Sequence, residues 1–381
     1  MKIPFLDMSA MHAELAPKLD DAWRRISRSG QFIDGEFVER FEGEWAEYCG
    51  TAYAVALASG TAALQLGLSA LGIGAGDEVI VPANTFFATI EAILGVGATP
   101  VFIDVDPLTL LMTASEVEGA ITKQTAAVIV VHLYGQPANM DAIEKVARAA
   151  ELAIIEDAAQ AHGATWRGRI AGSMSDLGCF SFYPGKNLGA FGDSGAVTTN
   201  NPIIAERIRS LRNHGRSRRD HGRHDYIGGN HRLAELQAAV LSVKLRRLDA
   251  WNATRQRIAN CYRSLLAELP VELLKVAPDA RSNNHLFIIQ CDRRDYLRQR
   301  LNAEGIGTGI HYPVPCHRQP ALSSIKTPHL PVAERAARRM LSLPMGPHLT
   351  QADTIRVAEA IDGALSTSKK APENAEPCLA P

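Results

Sequence analysis

The chain has 381 residues, more than one compact core usually takes, so a large unit joined to a smaller one is expected. Hydrophobic residues at 46% and charged residues at 21% suit a soluble globular enzyme, and 40 Lys and Arg against 41 Asp and Glu leave no electrostatic footprint for nucleic-acid binding. The six cysteines are scattered without a CxxC pair, and Asp7 interrupts the N-terminus. No stretch approaches the roughly 18 apolar residues of a membrane span, so free thiols in the cytoplasm, away from any membrane, are expected.

In chain order, residues 20–48 carry Val38, Phe41, Trp45 and Tyr48 at helical spacing, which predicts a helix. A βα rhythm follows. Residues 53–58 read as a strand and 61–71 as a helix opened by Ser-Gly-Thr; 78–82 read as a strand and 86–94 as a helix. Strands are predicted at 101–105, 126–132 and 152–156, with a helix over 140–150 between the last two. Apolar runs such as Ala-Val-Ile-Val-Val, alternating with helices, imply an α/β fold with a mostly parallel sheet covered on both faces. Beyond residue 160 come short strands at 178–182 and 195–199, helices at 203–213 and 232–266, and a smaller α/β unit. That unit has a strand near 285–290, a helix near 294–304 and a strand near 308–311. The division expected is a large domain over 1–250, a small C-terminal domain over 251–368, and a polar, proline-rich, disordered tail over 369–381.

Three stretches carry chemistry. In Phe180-Ser-Phe-Tyr-Pro-Gly-Lys-Asn-Leu-Gly-Ala-Phe-Gly-Asp-Ser-Gly195, Lys186 sits in a glycine-flanked turn between two short strands. A lysine that must lose its proton and reach a carbonyl suits such a turn, although most lysines between glycines are solvated loop residues. Asp157, in Ala153-Ile-Ile-Glu-Asp-Ala-Ala-Gln160, ends a central strand, where ligands bind in open parallel sheets. It can pair with a pyridinium nitrogen or merely cap the next helix. Ala58-Ser-Gly-Thr-Ala-Ala63 runs from strand to helix through Gly60; its free N–H groups, with Ser59 and Thr61, form a phosphate cradle, and a plain turn would read the same way. His132 ends a strand beside these and either touches substrate or satisfies a backbone group.

In this order, cradle, strand-end aspartate and glycine-flanked lysine, the chain resembles the DegT/DnrJ/EryC1/StrS sugar aminotransferases, within the fold-type I pyridoxal-phosphate enzymes. The resemblance runs from Ile3-Pro-Phe-Leu-Asp7 to the C-terminal helix. Its strings include Ser29-Gly-Gln-Phe-Ile-Asp-Gly35, Val131-His-Leu-Tyr-Gly135, Glu156-Asp-Ala-Ala-Gln-Ala-His-Gly163 and Asn230-His-Arg-Leu-Ala-Glu-Leu-Gln-Ala-Ala239. The resemblance implies that Lys186 carries pyridoxal 5'-phosphate covalently and moves the proton that sets the new stereocentre. Asp157 would bind the pyridine nitrogen, Gln160 the ring's 3-oxygen, and Phe86 would stack on the ring. Gly60, Thr61 and Ser181 would hold the phosphate, joined by Asn230 from a neighbouring subunit, which implies a homodimer with a shared active site. Tyr183, His311 and Tyr312 would face the sugar, and no metal is called for. Glutamate is the donor the family suggests, and a nucleotide-linked keto-deoxyhexose is the acceptor.

Pro-Gly-Lys-Asn-Leu-Gly and Gly-Ile-His-Tyr-Pro-Val-Pro look more like the 3-aminotransferases than the 4-amino branch, which remains the rival alongside a non-catalytic regulatory member. A dehydratase is disfavoured, because those relatives carry histidine in place of Lys186. Two departures stand out. The family's Gly-Asp-Gly-Gly is Gly192-Asp-Ser-Gly195 here. The segment 213–226 has His221 and Gly222 where many relatives have Lys-Tyr; its arginines and histidines offer a lid for a nucleotide diphosphate or a solvated loop.

Overall fold

Seven strands form the central sheet: β1 (Tyr53–Leu57), β2 (Glu78–Pro82), β3 (Thr99–Ile103), β4 (Thr125–Val131), β5 (Ala153–Asp157), β6 (Leu177–Ser181) and β7 (Gly195–Thr199). In this computed structural model, which describes residues 2–366 apart from 218 and 221, their order is β1-β7-β6-β5-β4-β2-β3. The tail expected at 369–381 lies outside the described residues, as does His221. All pairings are parallel except those of β7, which runs antiparallel to both β1 and β6. Val128, Ile129, Val130, Ile154 and Ile155 are fully buried, without in–out alternation, because helices cover both faces of the sheet.

The helix expected over 20–48 is two helices, α1 (Ser9–Ser29) and α2 (Glu36–Cys49). Gly30 ends α1 in the left-handed region, at φ 68°, which a side chain would resist. The helix expected over 232–266 is likewise divided, into Glu235–Leu245 and Leu248–Leu266. A second, antiparallel sheet joins Glu272–Leu273, Phe287–Gln290 and Met340–Leu343. The strand expected near 308–311 is only a bridge between Gly309 and Ser342. Around this sheet Ile258, Tyr262, Leu266, Ile289, Leu341, Leu343, Val357 and Ile361 form a second apolar cluster, and Ile3 from the N-terminus packs into it through a bridge to Ile306.

α2 shows how distant sequence makes local structure. Its first turn exposes N–H groups that no helical carbonyl can reach. Glu235, 1% exposed, supplies the acceptors from the far side of the chain: Oε1 takes the N–H groups of Gly35 (2.9 Å) and Val38 (3.2 Å), and Oε2 that of Phe37 (2.9 Å). A carboxylate at a helix N-terminus also meets the positive end of the helix dipole. Glu235→Ala orphans three buried donors at once. It is expected to lower stability by about 3 kcal/mol, read as a lower urea midpoint at unchanged slope.

Candidate active site

Strands β1, β5 and β6 run in one direction, so their carboxyl ends share one edge of the sheet, where open α/β sheets bind ligands. Past the end of β1 the chain turns through Ser59 into α3 (Gly60–Ala70). Ser59 Oγ accepts the Ala62 N–H at 3.1 Å, leaving the Gly60 and Thr61 N–H groups pointing out of the helix start. The turn lies against the end of β6: a Cβ on Gly60 would stand 2.6 Å from Cβ of Ser181, and one on Gly195 2.3 Å from the Ser59 carbonyl oxygen. Glycine at both positions lets the helix start and the end of β6 approach this closely, with Gly60, Thr61 and Ser181 all on the cavity wall.

Asp157 closes β5. No helix follows it, so the capping role is excluded; Oδ1 accepts the Ala159 N–H (3.2 Å) in a tight turn. Oδ2 accepts the hydroxyl of Thr89 (2.9 Å) on α4 (Ala88–Gly95). Having given away its proton, Thr89 must accept from Thr85 (2.8 Å). Burial pushes the Asp157 carboxyl up, against the opposing pull of Thr89, the Ala159 N–H and Lys186. Its neighbour Glu156 points to the other face of the strand and is saturated, by the N–H groups of Gly172 (2.6 Å) and Met174 (2.7 Å), the Ser175 hydroxyl (2.9 Å) and His132 Nε2 (2.9 Å). His132 Nδ1 accepts the Ala138 N–H at 3.1 Å, so Nε2 carries the ring proton. Its ring nitrogens are therefore committed to the frame.

Lys186 sits in the turn between β6 and β7, its own N–H on the Tyr183 carbonyl (2.8 Å). Burial drops its ammonium to about 8, even though Asp157 pulls it upward. Gln160 is fixed in orientation: Oε1 accepts the Tyr134 N–H (2.6 Å), so Nε2 is the nitrogen, and it donates to the Tyr312 hydroxyl (3.2 Å), leaving its second N–H free. Tyr134 makes this contact from the left-handed region, at φ 63°, and its hydroxyl donates to the His311 carbonyl (3.0 Å).

All of these groups line one cavity of about 530 Å³: Gly60, Thr61, Phe86, Asp157, Gln160, Ser181, Tyr183, Lys186, His311 and Tyr312 together. Phe86 (55% exposed) and Tyr183 stand at its open side, and the Phe86 ring lies 5.5 Å from that of Tyr312. Asn230 is apart from them. It is exposed, accepts from Arg232 Nε (3.2 Å), and pairs with Asn213 outside the cavity. Arg216 and Ser217 of the arginine-rich segment line a different cleft, with Asp34, Glu42 and Tyr53.

The wall also holds Thr85, Thr89, Arg255, His285 and Phe5, which sequence reasoning did not name. Thr85 precedes α4 and Thr89 lies in its first turn; neither they nor His285 and Arg255, which come from remote elements, carry a sequence signal for the site.

The donor set fits pyridoxal phosphate. A helix start with free N–H groups beside a hydroxyl would suit the phosphate, a buried carboxylate would suit the ring nitrogen, and an amine lowered to about 8 would suit the aldehyde. A model of the DegT/DnrJ/EryC1/StrS aminotransferase family matches residues 14–362. The chain belongs to that family. Within it, the dTDP-3-amino-3,4,6-trideoxy-alpha-D-glucose transaminase of Streptomyces venezuelae is 49% identical over 370 residues, 94% of this chain and 95% of the relative. The UDP-N-acetyl-3-dehydro-alpha-D-glucosamine 3-aminotransferase of Acidithiobacillus ferrooxidans is 45% identical over 359 residues, 94% and 97% of the two. The crystal structure of S. venezuelae DesV in complex with a ketimine intermediate has a TM-score of 0.93 at 49% identity, covering 95% of this chain and 98% of that one. Family membership makes the chain a pyridoxal-phosphate-dependent aminotransferase. Among the described residues no helix is long and apolar enough to cross a membrane, no cluster of three or more acidic, histidine or cysteine side chains is placed to hold a metal, and five cysteines are unbridged.

A lysine attacks a carbonyl only as the free amine, so the pH profile of cofactor capture reports its ionisation. Capture by the apoprotein is expected to rise tenfold per pH unit below about 8 and level off above it. Asp157→Asn removes the charge that holds the ammonium up, so the midpoint should move down. A midpoint near the ordinary lysine value, followed by absorbance after rapid mixing, contradicts this account.

Proposed function

We propose that the chain moves an amino group from glutamate to the C3 carbonyl of a nucleotide-linked keto-deoxyhexose. The observation that carries this reading is the meeting, in one cavity, of an amine lowered to about 8, a buried strand-end carboxylate and an N–H cradle. Pyridoxal phosphate, when bound, supplies an electron sink for the C–H bond broken beside the nitrogen. The protein's own residues do the rest. Lys186 captures the cofactor, then, as a free amine, takes the proton from the donor's α-carbon and delivers one to the sugar carbon, fixing its configuration. Asp157, backed by Thr89, holds a proton on the ring nitrogen. Gln160 offers its free N–H to the ring's 3-oxygen, and Phe86 covers the ring face and excludes water. Gly60, Thr61 and Ser181 take the phosphate. Tyr183, His311 and Tyr312 face the hexose.

Asn230 completes the phosphate site from a second copy of the chain. The distance of Asn230 from its own cavity and the exposed apolar side chains Phe32, Phe86, Tyr183 and Ile227 support a homodimer with shared sites. Across that boundary the arginine-rich segment faces the substrate's diphosphate. In this reading residues 1–250 carry the cofactor and 251–368 close over it. Unbridged thiols support a reducing, cytoplasmic setting. The names of the two relatives, both of which act at C3, support the regiochemistry. A purely regulatory role leaves the converged cavity without a purpose.

Matched 3-keto and 4-keto sugar nucleotides, each offered with glutamate and followed by mass spectrometry, test the reading. The 3-keto substrate is expected to turn over faster, and preference for the 4-keto isomer refutes the assignment to C3. Lys186→Ala should lose on the order of 10²–10⁴ in rate from proton transfer alone. Undiminished turnover in that variant removes the mechanism.

A further inference from the structure

Asn187 follows Lys186 directly and is 1% exposed. Its Nδ2 donates to the Asn283 carbonyl (3.1 Å) and to Asn252 Oδ1 (2.9 Å). A main-chain carbonyl only accepts, so the amide nitrogen must face it, and Oδ1 must turn the other way, toward Nδ1 of His285 at 3.0 Å. Oδ1 also only accepts. Nδ1 of His285 therefore carries the ring hydrogen, and Nε2 presents a bare lone pair. Asn252 and Asn283 anchor the arrangement: Asn252 Nδ2 donates to the His162 carbonyl (2.9 Å), and Asn283 Nδ2 to the carbonyls of Gln160 and His162 (3.0 Å each). The Lys186 turn, the loop after Asp157 and the segment carrying His285 are thus tied into one unit, and the tautomer of His285 is built into the fold. Burial, with Lys186, Arg255, His162 and His311 around it, holds the imidazole neutral, well below its ordinary value.

His285 lines the cavity, and no protein donor among the described residues reaches its Nε2. Of the other polar groups of the wall, Asp193 also brings acceptor oxygens, while several others are donors or already engaged. Gly60 and Thr61 offer N–H groups and Lys186 an amine. Asp157 is bound to Thr89 and Ala159, Gln160 to Tyr134 and Tyr312, and Nδ1 of His311 to Ser342 (2.8 Å). Nε2 of His285 is an uncommitted acceptor with no proton to give. The two co-substrates meet it differently. An amino-acid donor whose nitrogen is engaged presents only carboxylate oxygens, which a lone pair repels. A hexose presents hydroxyls.

We propose that Nε2 of His285 accepts a hydrogen bond from a hydroxyl of the keto sugar, making His285 a substrate-binding residue of the acceptor half-reaction. The proposal rests on the sugar-nucleotide reading. It extends the sugar-facing set from Tyr183, His311 and Tyr312 to a residue whose orientation is set by the neighbour of the reactive lysine.

Two substitutions separate the nitrogens. His285→Asn places an amide nitrogen near Nδ1, keeping the bond to Asn187 and deleting the acceptor. His285→Gln reaches the position of Nε2 with an amide oxygen and gives up Asn187. In the holoenzyme the halves can be followed apart, because glutamate alone bleaches the bound cofactor's visible absorbance and the keto sugar nucleotide restores it. For His285→Asn, bleaching by glutamate should stay within a few-fold of wild type, while kcat/KM for restoration falls about 10- to 100-fold; His285→Gln should recover part of that loss. Equal losses in both halves, or an Asn variant that restores absorbance as wild type does, overturn the proposal while leaving the sugar reading intact. A wild-type holoenzyme bleached by glutamate but restored by no sugar nucleotide overturns that reading and this proposal with it.

Discussion

Taking an amine and a carboxylate out of water into one cavity costs each group more than its partner gives back. Lys186 falls to about 8 although Asp157 pulls it up; Asp157 rises although Lys186, Thr89 and the Ala159 N–H all pull it down. Burial wins at both ends of the pair. The pocket therefore holds two groups leaning toward neutrality, and a ligand that brought a carbonyl to one and a protonated ring nitrogen to the other would relieve both.

The surroundings keep that balance from being disturbed. His162, packed among Trp45, Phe180 and Phe182, is lowered to about 3; His311 is lowered to about 4; His285 is lower than its ordinary value by the same cause. Burial leads in each case. Three imidazoles that stay uncharged around a lysine add polarity without adding the positive charge that would depress its ammonium further. Behind the turn, Lys244, 2% exposed, donates to the Gly189 carbonyl (2.6 Å) and binds Nε2 of His12 (2.9 Å), pinning the far end of the loop that carries Lys186.

How much of this was legible follows from how local each signal is. The strands of the large sheet read directly from apolar runs, and Asp157, Lys186 and Gly60 read from their places at strand ends and turns. What was not legible depends on pairs far apart in sequence. α1 and α2 read as one helix because their apolar spacing continues past Gly30, whereas the break is held by Glu235, 200 residues away. The strand Met340–Leu343 is too short to show a period and exists because Phe287–Gln290 pairs with it. Thr89, Asn187 and His285 are polar residues in unremarkable strings, and only the fold gives them partners. The opposite roles of Glu156 and Asp157, adjacent in one string, come from the two-residue period of a strand, which sends one side chain into the frame and the other into the cavity.

That pair suggests how the fold distinguishes framework from site. Glu156 receives four donors, Glu235 three, and His132 commits both ring nitrogens; each is buried and engaged by the frame. An unsatisfied buried polar group is costly, so the same number of bonds that removes a group from chemistry fixes the geometry around it. The groups left open among the described residues include the N–H pair at Gly60 and Thr61, the second N–H of Gln160, the amine of Lys186 and Nε2 of His285. His285 is held by Asn187, whose own amide bonds are complete. Rigidity thus comes from the saturated set and reactivity from the open one, and neither can be moved to the other without changing what the cavity accepts.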